Sequence, residues 1–84
     1  MTRVWLVDRE FDSKGLVRLR YATTDGERVH TKELAEQRLM TSGGVTAAVD
    51  VTDEQLERTD AENRDRFSTE ANRMASDHQP DDTI

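Results

Sequence analysis

Large apolar side chains crowd into the first fifty-one positions of this chain and nearly vanish after them. Sixteen fall between Val4 and Val51: Val4, Trp5, Leu6, Val7, Phe11, Leu16, Val17, Leu19, Tyr21, Val29, Leu34, Leu39, Met40, Val45, Val49 and Val51. Only Leu56, Phe67 and Met74 lie between Thr52 and Thr83. Charge follows the same division. Residues 1–42 hold eight Lys and Arg against seven Asp and Glu, whereas residues 43–84 hold four against eleven. With 84 residues in all, one domain with a small core is expected, built mainly by the first part.

Two early segments, Val4–Phe11 and Leu16–Thr24, are rich in β-branched and aromatic residues, as strands are. A three-residue loop, Ser13 to Gly15, with glycine at the left-handed position, pairs Phe11 with Val17, Arg9 with Leu19 and Val7 with Tyr21. The same register sets Glu10 opposite Arg18 and Asp8 opposite Arg20. Asp25-Gly26 is a turn signal leading into a short third strand, Glu27–Thr31. A three-residue loop puts Val29 opposite Tyr21, a two-residue loop turns it to the other side, and the residues alone leave both open.

From Lys32 to Thr41 the period becomes helical, with Thr31 as N-cap and Gly43-Gly44 as stop. Val45–Val51 alternates as a half-buried strand. Thr52-Asp53-Glu54-Gln55 reads as a capping box, with Val51 and Leu56 as its hydrophobic staple. The acid-to-arginine spacings at Glu54–Arg58, Asp60–Arg64 and Glu62–Arg66 extend a helix over 53–76. The expected fold is α+β, in the order βββαβα: an antiparallel meander plus a fourth strand, with two helices packed mainly on one sheet face. Residues 1–76 form the domain, and 77–84, with Pro80, Asp81 and Asp82, form an acidic disordered tail.

Function is less legible. Cysteine is absent, which removes disulfides, thiol nucleophiles and thiolate metal sites. No run approaches the roughly 18 apolar residues of a membrane span, so a cytoplasmic location is the expectation. His30 with Glu33 supplies two metal ligands and lacks a third. Ser42-Gly43-Gly44 follows a helix instead of preceding one, the reverse of a phosphate loop. No serine has a nucleophile motif around it. Neither a catalytic role nor a cofactor is expected.

The charge balance carries a further message. Eighteen acidic residues outweigh twelve basic ones, lysine occurs only at Lys14 and Lys32, and threonine occurs ten times. This composition resembles that of small proteins from extremely halophilic archaea, where hydrated carboxylates maintain solubility under strong screening. The resemblance implies a high-salt environment and no particular activity.

With helices on one sheet face, Val4, Leu6, Leu16 and Ala22 are left on the other, and Phe67 and Met74 reach beyond the sheet. These six are the expected interface of a homodimer acting through protein association. The alternative is a nucleic-acid accessory protein using Arg18, Arg20, Arg28 and Lys32.

Overall fold

The computed structural model describes residues 1–41 and 45–84. Its chain is a mixed α+β fold: a five-stranded antiparallel sheet with one main helix. The strands are β1 (Thr2–Phe11), β2 (Leu16–Ala22), β3 (Arg28–Ala35), β4 (Ala48–Val51) and β5 (Glu57–Arg58), in the spatial order β4-β1-β2-β3-β5. A short helix, α1 (Glu36–Thr41), follows β3, and α2 (Ala61–Asp77) follows β5.

The first hairpin forms with the expected loop. Asp12 N–H donates to Leu16 O at 2.8 Å, Gly15 takes φ +85°, and Asp12 Oδ1 accepts from Lys14 N–H at 3.0 Å. Phe11 pairs with Val17, Arg9 with Leu19, Glu10 with Arg18 and Asp8 with Arg20. The match ends at Val7. A bulge there shifts the register, so Tyr21 pairs with Leu6 instead, and Trp5 with Ala22. Because side chains alternate along a strand, one unpaired residue exchanges the faces of everything before it.

The bulge redistributes the core. One face carries Val4, Leu6, Val17, Leu19, Tyr21, Val49 and Val51; the other carries Trp5, Ala22 and Ala48. The expected grouping of Trp5 and Val7 with Val17, Leu19 and Tyr21, opposite Val4, Leu6 and Ala22, is therefore corrected. Helix α2 lies against β1 and β2 and buries Phe67 and Ala71, with Ala71 beside Trp5, Ala47 and Ala48. On the first face, Leu34, Val45 and Leu56 pack on the Val4–Leu6–Tyr21 cluster.

Two further boundaries differ from expectation, and one open choice is decided. Strand β3 runs on to Ala35, pairing Leu34 with Val17 and Ala35 with Leu16, so helix starts only at Glu36; its glycine stop lies outside the described residues. Val29 faces Ala22, the register of the two-residue alternative. The capping box forms, with Gln55 Oε1 accepting from Thr52 N–H at 3.0 Å, yet it opens only a 3₁₀ turn over Asp53–Gln55. Leu56 then drops onto the core beside Val51, Glu57 and Arg58 pair with β3, and helix resumes at Ala61 after Asp60. Tertiary pairing outweighs helix propensity here, which amounts to only tenths of a kcal/mol per residue.

Residues 79–84, within the stretch expected as an acidic disordered tail, bond back to the start of β4 and the segment before it. Ala47 N–H donates to Asp82 O at 2.8 Å, Ala48 N–H to Pro80 O at 3.0 Å, and Ile84 N–H to Val45 O at 2.9 Å. Ile84 touches both apolar clusters. Among the described residues, no helix is long and apolar enough to cross a membrane.

Candidate functional site

The fold divides the residues of each expected site between the two sheet faces. Val4, Leu6, Ala22 and Phe67 are buried within this chain, and Met74 is half-buried against both clusters. The bulge and the segments on the first face explain the difference: the chain covers both sides of its own sheet. Only Leu16, 43% exposed, stays open, and it lies beside Phe11, 62% exposed. Both line a shallow depression of about 210 Å³ with Glu10, Arg18 and Glu33. Phe11 carries no sequence signal of exposure, because an aromatic at a strand end reads as core.

The arginines divide by face. Arg18 bridges Glu10 at 3.6 Å and Glu33 at 3.2 Å; Arg20 holds Asp8 and Glu10, each at 2.9 Å; Arg3 holds Asp50 at 3.0 Å. Desolvation pulls the Arg20 pKa down, but the hydrogen bond it donates to Asp8 and the charge of Glu10 outweigh it, and the net direction is up. The Arg3 bond pulls the Asp50 carboxyl below its ordinary value. Each of these guanidiniums already has a carboxylate to satisfy it.

The opposite face is different. Arg28 pairs with Arg58, Arg9 sits across from Leu19, and Lys32 faces Leu19 from the other side. Among the described residues none of these four cations has a carboxylate within 4.0 Å, and neither does Arg38 on α1. The split is complete across the strands. Asp8, Glu10, Glu33, Asp50 and Glu57 all project from the α2 side, and no strand carboxylate projects from the other. His30 shares the cationic face, its Nδ1 3.1 Å from Gln55 O and its ring tilted 34° against Tyr21 at 6.2 Å. Glu33 lies on the other face, so the His30–Glu33 metal pair is not assembled.

Among the described residues one buried polar side-chain atom lacks a partner. Thr59 is 3% exposed and its Oγ1 makes no hydrogen bond, while its N–H reaches Glu27 O at 3.0 Å. Among the described residues no group of three or more His, Asp or Glu could hold a metal ion.

Comparison with known proteins gives one match. The model of the Family of unknown function (DUF7967) covers residues 1–84. The chain belongs to this family. No curated protein and no solved structure matches. Membership spans the whole sheet and both candidate surfaces, and it assigns neither of them an activity.

Proposed function

We propose that this family member works without chemistry of its own, by association of one copy with another at the open end of the β1–β2 hairpin, in a high-salt cytoplasm. The observation that supports it is the pair Phe11 and Leu16. Apart from Met1 they are the exposed large hydrophobics among the described residues, and they share one depression. Glu10, Arg18 and Glu33 around them present both signs of charge. A surface apolar in the middle and mixed in charge at its rim is complementary to itself under a twofold axis.

Light scattering in molar salt tests the reading. The wild-type chain is expected at twice 9.6 kDa. Phe11→Glu with Leu16→Glu returns the monomer while far-UV circular dichroism is unchanged. A monomeric wild type at every concentration removes the proposal. So does a dimer indifferent to both changes.

A further inference from the structure

In a chain of net charge −6, a sheet face whose strands present four cations and, among the described residues, no carboxylate of their own runs against the composition. Arg28 and Arg58 make the point most sharply. They are directly opposite each other on β3 and β5, where like charges repel, and among the described residues neither has a carboxylate within 4.0 Å. The acids near Arg28 are Asp25, which feels its charge, and Asp53, which lines the same depression. Lys32 lies on the same face, about 13 Å further along β3 at the usual rise per residue. Beyond it, Lys32 and Arg38 border one groove of about 430 Å³, with Glu33 also at its edge. Between Arg28 and Lys32 stands His30, half-buried, an aromatic ring level with the cations.

We propose that this strip binds the phosphodiester backbone of a single-stranded nucleic acid, with Arg28, Arg58, Lys32 and Arg38 meeting phosphates. Arg28 and Lys32 lie along β3, with Arg58 beside one end on β5 and Arg38 beyond the other on α1, and a flexible single strand can track such a line. His30 is placed to stack on a base while its neighbours hold the backbone. Arg18 and Arg20 take no part, since Asp8, Glu10 and Glu33 occupy them on the opposite face. The arrangement stands independently of the hairpin-end contact between copies.

Fluorescence anisotropy of a labelled 12-nucleotide oligo(dT) or oligo(U) decides the matter, at the lowest salt where circular dichroism shows the native fold. Binding is expected with a dissociation constant on the order of 10–100 µM. The logarithmic salt slope should be about −2 to −3 for three to four phosphate contacts. Arg28→Gln with Lys32→Gln should weaken binding at least tenfold and flatten the slope by about 1.4. Arg3→Gln, on the paired face and outside the hairpin-end contact, should leave both unchanged. The inference fails if no saturable binding occurs, or if Arg3→Gln weakens binding as much as the double variant. It also fails if phosphatidylserine vesicles bind and both oligonucleotides do not. Arg58→Glu supplies a second readout: it relieves the repulsion with Arg28 and raises the unfolding midpoint, yet weakens oligonucleotide binding. Strengthened or unchanged binding would overturn the assignment.

Discussion

Among the described residues two glycines hold left-handed backbone, and their surroundings separate them. Gly26, at φ +74°, presses on α2: a Cβ there would meet the Arg64 carbonyl oxygen and come within 2.9 Å of Ser68. The same turn is tied to the helix by Ser68 Oγ and Asn72 Nδ2, both donating to Thr24 O. Gly15, at φ +85°, has nothing within 4 Å of an added Cβ. Gly15→Ala is therefore expected to cost about 1–2 kcal/mol, the backbone term alone. Gly26→Ala adds a collision with helix backbone and should cost roughly 3 kcal/mol or more. Urea denaturation of both variants measures the difference, and equal losses would show that the turn does not bear on α2. The Asp-Gly signal was plain in the sequence. The close approach of Arg64 was not, because it depends on a segment 38 positions away.

At the scale of elements, local pattern read the hairpins well and the helices poorly. The loop at Gly15 and the pairs Glu10–Arg18 and Asp8–Arg20 follow from turn chemistry and alternation, both short-range. The Val7 bulge leaves no such trace, since a run of Val4, Trp5, Leu6 and Val7 is apolar in either phase. Thr52–Gln55 is a genuine cap without the helix it announced, because pairing of Glu57 and Arg58 with β3 interrupts the run. The candidate surfaces were half legible: Leu16, Arg28 and Lys32 were named, but Phe11, Arg38 and Arg58 needed the fold to place them.

The segment after α2 belongs to the fold in the same sense. Removing residues 79–84 would leave the N–H groups of Ala47 and Ala48 without acceptors at buried positions, about 1–3 kcal/mol each, and uncover apolar surface beneath Ile84. Urea denaturation of the truncated chain is expected to show a loss of roughly 3–5 kcal/mol. A loss below about 1 kcal/mol would show the segment to be an ornament.

For the whole molecule, acid sensitivity concentrates where carboxylates are held. Asp25 accepts from Thr23 Oγ1 and from Glu27 N–H at 2.9 Å, and these bonds, the Thr23 one first, keep its pKa below the ordinary aspartate value. A depressed folded-state value adds stability above the unfolded-state pKa, and that contribution disappears as pH falls through the folded one. Thermal midpoints followed from about pH 5 down to pH 2 should therefore fall faster for wild type than for Asp25→Asn. Parallel curves would exclude the Asp25 turn as a source of acid lability. The exposed Arg3–Asp50 pair acts in the same direction, but salt screens it.

The strap formed by Asp82 and Ile84 has a consequence for how the molecule is born. On the ribosome, the β1–β2–β3 meander can assemble as soon as it emerges, whereas β4 finds its last backbone partners only when Ile84 has cleared the exit tunnel. Until then the nascent chain carries an open seam beside Ala47 and Ala48, which the carbonyls of Pro80 and Asp82 close.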